Sequence, residues 1–350
     1  MPQRPILTDI AQSDKSLARL DSISNHDRSK FRPAMNDLSA LARVSAELGR
    51  NRLLVQAAGG NTSVKDDGVL WVKASGRWLA KALDEPVFVA VDLPGLMSAL
   101  ERDDPACETC VAFVRADLSA PGLRPSVETT LHAGLPRRFV VHVHCIETLS
   151  HAILVKAEAR LASLLGGLNW RWVPYIRPGL PLFRSIAPGA DVYVLQNHGL
   201  VVAADTLAEA VDLVEVVGQR LARPVHAAPG APRSVKRAGY HFADAPALAA
   251  HAVRLAAAGS YYPDHLVFLG SGAATIDNTV GSPPVILAPG CPPLVRDDLA
   301  PAPLAMAGCM ADVAARLAPD DRPRYFTAEE EYVLEHWDAE IYRQSAPEAK

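Results

Sequence analysis

Arg138-Phe139-Val140-Val141-His142-Val143-His144-Cys145 is an apolar, β-branched run that carries two imidazoles two positions apart. On a strand, side chains at i and i+2 leave the same face, so His142 and His144 point into one space. Taken alone, a His-x-His pair is explained as simply by two half-buried rings that each find a backbone partner. Two further features favour a metal site. In Val192-Tyr193-Val194-Leu195-Gln196-Asn197-His198-Gly199-Leu200-Val201-Val202, an apolar run breaks at Asn-His-Gly and then resumes. Asn and Gly tolerate positive φ, so His198 is expected at the tip of a strand-turn-strand element. In Pro125-Ser126-Val127-Glu128-Thr129-Thr130-Leu131-His132, Ser126 reads as a helix N-cap and Glu128 as a residue of the first turn. Three neutral imidazoles with one exchangeable carboxylate form a tetrahedral zinc site of the catalytic kind, although the same donors accept cobalt, manganese or iron.

Asn61-Thr62-Ser63-Val64-Lys65 and Val69-Leu70-Trp71-Val72-Lys73 flank Asp66-Asp67-Gly68, which predicts a hairpin closed by Asp-Gly. Gly59-Gly60 and Ser75-Gly76 sit at its two ends. Glycine and hydroxyl residues in such loops offer backbone N–H groups to an anion, although the Gly-Lys-Ser/Thr ending of a P-loop is missing.

These blocks, in the order Gly59-Gly60-Asn61-Thr62-Ser63, Lys73-Ala74-Ser75-Gly76, Pro125-Ser126-Val127-Glu128, His142-Val143-His144 and Asn197-His198-Gly199, resemble the class II aldolase/adducin family. Val173-Pro174-Tyr175-Ile176-Arg177-Pro178-Gly179 and Pro284-Val285-Ile286-Leu287-Ala288-Pro289-Gly290 are most similar to the aldolase part of bifunctional rhamnulose-1-phosphate aldolase/short-chain dehydrogenases. No Gly-x-Gly-x-x-Gly opens a βαβ unit, so nothing here supports the dehydrogenase half.

The resemblance implies an α/β/α layered class II aldolase fold with a central mixed, largely antiparallel sheet, plus a smaller C-terminal α/β segment. It implies Zn2+, or another divalent metal, on His142, His144 and His198, with Glu128 as catalytic acid/base. Gly60, Asn61, Ser75, Gly76 and Ser126 would grip the substrate's phosphate or polar end. A second serine found in several family members is replaced here by Val127, which removes one phosphate contact. The implied activity is cleavage of a ketose, foremost a ketose 1-phosphate, through a metal-stabilised enediolate. Related members epimerise, decarboxylate or dehydrate, and adducin is a non-catalytic scaffold. A homotetramer is implied too, in which a neighbour's tyrosine assists; Tyr175 is the candidate equivalent.

The 350 residues are 49% hydrophobic and 21% charged with net charge −4, which gives no electrostatic reason to expect nucleic acid or an anionic membrane as partner. A small sugar or sugar phosphate fits better. No basic-then-apolar leader and no membrane-length apolar run is seen, and five cysteines, an odd number, point to a reducing, cytoplasmic setting. Cys107-Glu108-Thr109-Cys110 is read as plain thiols. Residues 1–33 are expected to be loosely ordered, 34–223 to form the aldolase domain, 224–240 a linker and 241–350 the extension. Helices are expected over Ala34–Leu48 with Gly49 as stop, over Ile146–Ala157, and from the Thr206-Leu207-Ala208-Glu209 capping box to about Ala222. In the extension, helices are expected near Pro246–Ala258, capped by Asp244, and near Pro303–Leu317 and Ala328–Arg343. Strands are expected near His265–Leu269 and Val285–Leu287. His132 shares a helical face with Glu128 and could orient it, whereas His151 reads as structural.

Overall fold

A computed structural model of the chain describes residues 32–226, 228 and 235–345. The loosely ordered segment expected over 1–33 therefore lies almost wholly outside the described residues, as does part of the expected linker. The elements run α1 (Arg32–Arg50), β1 (Asn61–Asp66), β2 (Val69–Lys73), β3 (Phe88–Asp92), α2 (Leu93–Glu101), α3 (Thr129–Gly134), β4 (Phe139–Val143), α4 (Ile146–Ala152) and α5 (Ala157–Leu164). They continue with β5 (Trp170–Val173), α6 (Leu180–Ser185), β6 (Val192–Leu195), β7 (Gly199–Ala204) and α7 (Leu207–Arg220). The C-terminal part comprises β8 (Tyr240–Phe242), α8 (Ala250–Ala257), α9 (Pro263–Leu269), β9 (Ala274–Thr275), β10 (Val285–Leu287), β11 (Leu294–Arg296), α10 (Pro301–Ala314), α11 (Ala328–Glu335) and α12 (Asp338–Ser345).

Seven strands form one sheet in the order β3-β2-β1-β4-β7-β6-β5. Every pairing is antiparallel except β5 with β6, so the sheet is mixed and largely antiparallel, as expected. Alternation along each strand divides the core into two layers. Phe139, Val141 and Val143 of β4, with Leu200 and Val202 of β7, join the cluster that includes Leu41, Leu149, Leu161 and Val214 of α1, α4, α5 and α7. Val140, Val201 and Tyr193 face the other way, onto Leu131 of α3 and Leu182 of α6. Burying each such aliphatic side chain contributes about 1.5–3 kcal/mol relative to leaving it exposed. The result is the α/β/α layering, with His142 and His144 on the α3 side.

A four-stranded sheet, β8-β11-β10-β9, forms the smaller C-terminal α/β part. Met306, Met310 and Leu317 belong to the same apolar cluster as α1 and α4, and α10 packs on α4. Among the described residues no helix is long and apolar enough to cross a membrane.

Several boundaries differ from the sequence reading. His265–Leu269 is not a strand but most of α9. Pro263 occupies its first turn, Asp264 complements the dipole there, and Gly270 ends it at φ 88°. Gly49 does not stop α1, which runs to Arg50. A Cβ at Gly49 would lie 2.1 Å from the Ala80 backbone nitrogen, so glycine is there to let two backbones meet. The single helix expected over Ile146–Ala157 is two, α4 and α5, and the one over Ala328–Arg343 is α11 and α12, broken at His336–Trp337. The helix expected from Pro246 begins at Ala250 with Ala249, not Asp244, at the N-cap. Both the Asp67-Gly68 hairpin and the Thr206–Glu209 capping box form as read.

Candidate metal centre

Strand register builds the site. In the β4–β7 pairing His142 stands opposite Val201 and Val143 opposite Leu200, which brings the β6–β7 turn beside the end of β4. Asn197 adopts φ 53° in that turn, a conformation asparagine tolerates, and its Nδ2 donates to the carbonyls of Tyr261 (2.7 Å) and Arg324 (2.8 Å). His198 is thereby presented to the other two imidazoles. The three rings converge, with centroids 4.8 to 5.4 Å apart and one candidate ligand atom from each within 4.8 Å of the others.

Three donor separations are close to those around a tetrahedral ion. With Zn–N bonds of 2.0–2.1 Å, neighbouring donors in a tetrahedron lie about 3.3–3.4 Å apart. His142 Nε2 lies 3.2 Å from His144 Nε2 and 3.4 Å from Glu128 Oε2, and His198 Nε2 lies 3.6 Å from Glu128 Oε1. Glu128 Oε1 is buried and has no hydrogen-bond partner among the described residues. These three imidazoles form a buried group that can hold a divalent metal.

Two of the three imidazoles are held in the neutral form that can bind a metal. Burial lowers the pKa of His142, and that of His198 to about 3, which leaves both rings neutral at pH 7. His142 Nδ1 donates to the Leu200 carbonyl at 3.0 Å, so Nε2 is its lone-pair nitrogen. Burial pushes the Glu128 carboxyl up, but the imidazoles and the Asn61 amide outweigh it and hold the pKa at about 2.

Glu128 does not lie in the first helical turn as read; it is the residue that precedes α3. Ser126 Oγ accepts from the Glu128 backbone N–H at 3.3 Å and from Asn61 Nδ2 at 3.1 Å, so it shapes this turn. Asn61 sits opposite His142 in the β1–β4 register. His132 does orient the acid, but through an intermediary. Its Nε2 donates to Asn61 Oδ1 and its Nδ1 accepts from Ser63 Oγ, while Asn61 Nδ2 donates to Glu128 Oε2 at 2.8 Å. His151 is structural, bonded through Nε2 to the Leu221 carbonyl.

Gly60, Asn61, Ser75, Gly76 and Ser126 all line one cavity with Glu128, His144 and His198. Gly60 has φ 63°, and a Cβ there would lie 2.7 Å from the His142 carbonyl oxygen. Tyr175 is not among the lining residues. Its ring packs at a tilt against Phe326, with centroids 4.6 Å apart, in a small cluster with Leu266 and Leu334.

Four charged residues that line the cavity were not foreseen as site residues. Lys73 is buried, its Nζ donates to the carbonyls of Ala58 (2.6 Å) and Gly60 (2.9 Å), and burial lowers its pKa to about 7. The other three, Asp264, Glu340 and Arg343, come from the C-terminal segment. Lys73 stands inside a motif that was read, but no spacing in the sequence marks the other three.

A family model described as Class II Aldolase and Adducin N-terminal domain matches residues 39–223. The chain is 31% identical over 175 residues to the uncharacterized oxidoreductase YuxG of Bacillus subtilis (strain 168), a match over 45% of this chain and 25% of that protein. The chain thus spans about a quarter of the length of that relative. Among solved structures, the N-terminal class II aldolase domain of a conserved protein from Thermoplasma acidophilum is similar at 31% identity and TM-score 0.46, over 57% of this chain and 98% of that one. L-fuculose-1-phosphate aldolase from Thermus thermophilus is similar at 18% identity and TM-score 0.36, over 54% and 93%.

Proposed function

Since the chain belongs to the class II aldolase and adducin N-terminal domain family, we propose that it is a zinc-dependent carbon–carbon lyase that cleaves a ketose, foremost a ketose 1-phosphate. The observation that carries this reading is the buried Glu128 carboxylate at 3.4 and 3.6 Å from two of three convergent imidazoles. A scaffold has no use for an ionised acid buried against three imidazoles, whereas proton transfer beside a cation needs that arrangement.

A divalent ion on His142, His144 and His198 would supply Lewis-acid polarisation of the substrate's carbonyl and neighbouring hydroxyl. Glu128 moves the proton. Its Oε2 is held by Asn61, and its Oε1, which has no hydrogen-bond partner among the described residues, is the oxygen that can take or give a proton. In cleavage, the hydroxyl on the far side of the scissile bond gives up its proton, which passes to Glu128 Oε1. That bond breaks to a new carbonyl, its electron pair stays on the carbon next to the ketone, and Glu128 returns a proton to that carbon. A carboxylate beside a cation is acidic, so swinging away from the metal position would restore the basicity of Glu128. Gly60, Ser75, Gly76 and Ser126 grip the polar end of the substrate, with Lys73 bracing the Gly59-Gly60 loop from beneath.

Similarity to a quarter of a protein named as an oxidoreductase is what a chain related to the aldolase part of rhamnulose-1-phosphate aldolase/short-chain dehydrogenases would give. We assign residues 34–223 as the aldolase domain and 241–350 as an extension of it, and place the working form as a homo-oligomer in the cytoplasm.

The test is incubation of zinc-loaded protein with ketose 1-phosphates and the matching free ketoses, followed by product analysis. Release of dihydroxyacetone phosphate together with an aldehyde such as lactaldehyde or glycolaldehyde is expected. A product with an intact carbon skeleton would reassign the chain to epimerisation or dehydration, and loss of carbon dioxide would reassign it to decarboxylation. Protein that takes up no metal and turns over nothing would make it a scaffold.

A further inference from the structure

Asp264 lies 41 residues beyond the end of the family match, in the first turn of α9, and is 2% exposed. Its Oδ2 is 3.0 Å from His144 Nδ1, off the axis of an aligned hydrogen bond, and its Oδ1 is paired with Arg343. Arg343 Nε is in turn 2.9 Å from Glu340 Oε2, so α12 buttresses the aspartate from behind. His144 Nε2 faces His142 Nε2, which makes Nε2 the nitrogen that points into the cluster. An imidazole that offers Nε2 to a metal must carry its proton on Nδ1, and Asp264 is the acceptor beside that proton.

Gly59 gives an independent sign that the pair is built in. A Cβ there would lie 2.8 Å from His144 Nδ1 and 3.1 Å from Asp264 Oδ2, so the glycine leaves space for the two groups to meet. The other two histidines are held differently: His142 by the Leu200 carbonyl, whereas His198 Nδ1 is buried without a hydrogen-bond partner among the described residues.

We propose that Asp264 of the C-terminal segment is a positioning residue for the metal ligand His144, fixing its tautomer and the direction of its Nε2. The inference rests on the metal reading of the three histidines. It gives the C-terminal segment a function: it completes the metal centre of the preceding domain.

The test uses the full chain as wild type, Asp264→Ala and Asp264→Asn. Zinc affinity is measured by competition with a chromophoric chelator, and ligand geometry by the visible spectrum of the cobalt-loaded protein. Asp264→Ala is expected to bind zinc about 10–100-fold more weakly and to shift the cobalt bands. Asp264→Asn, whose amide oxygen can still accept the Nδ1 proton, recovers most of that loss. Affinity within twofold of wild type and an unchanged cobalt spectrum in Asp264→Ala overturn the proposal. Should Asp264→Ala not fold, long-range nitrogen–proton correlation in zinc-loaded wild type decides: a proton on His144 Nδ1 is expected, and one on Nε2 overturns it. Wild-type protein that binds no zinc defeats the metal reading and this inference together, whereas tight wild-type binding with an unaltered alanine variant defeats this inference alone.

Discussion

Asn61 donates from Nδ2 to Glu128 Oε2 across 2.8 Å, both residues being buried. Ser63, His132 and Asn61 form a chain of hydrogen bonds that ends on the acid, and each link fixes the donor direction of the next. Asn61→Ala removes the last link. The carboxyl should then titrate higher, and the acidic limb of the pH–rate profile should move up by about one unit. An unmoved limb would mean that the amide does not tune the acid.

The metal role and the proton role separate by mutation. His144→Ala should abolish stoichiometric zinc, measured by elemental analysis, together with turnover. Glu128→Gln should retain zinc and lose at least about 100-fold in turnover. Full turnover in Glu128→Gln would end its assignment as acid/base.

Stability should fall in mild acid. Burial lowers the pKa of His132 and His198 to about 3 and of His151 and His265 to about 4, whereas an unfolded histidine titrates near 6.5. Between those values the unfolded chain binds more protons than the folded one, so the stabilisation is complete above pH 6.5 and declines as pH falls toward 4. Each such histidine contributes a slope of up to about 1.4 kcal/mol per pH unit. Urea midpoints of the metal-free protein should therefore drop from pH 6.5 to 4.5, and His132→Gln should flatten the decline by about one proton.

Asn197 ties the His198 turn to the C-terminal segment. Asn197→Gly keeps the left-handed backbone at φ 53° and deletes both side-chain hydrogen bonds to the carbonyls of Tyr261 and Arg324. A loss of about 1–3 kcal/mol in urea unfolding is expected, with faster zinc release to chelator. Unchanged stability would show that the segment docks without this contact.

How much of this was legible beforehand depended on how far apart the interacting residues lie in the chain. The pairing of His142 with His144 follows from a two-residue spacing on a β-branched run, and the turns at Asp67-Gly68 and Asn197-His198-Gly199 follow from residues that accept positive φ. These are local properties, decided within a few residues by backbone sterics. The short run His265–Leu269 was ambiguous for the same reason: five residues carry too little periodicity to separate helix from strand, and Pro263 and Asp264 decided it from outside the run.

The sequence by itself determined the candidate ligand types, the strand that carries two of them and the loops that flank the cavity. Only the tertiary structure decided that Asp264 reaches His144, that His132 acts through Asn61, and that Arg343 and Glu340 line the cavity. Those contacts depend on sheet register and on the packing of the C-terminal helices against α4 and the three histidines. Such packing is settled by many weak apolar contacts acting together, so no short spacing in the chain records it.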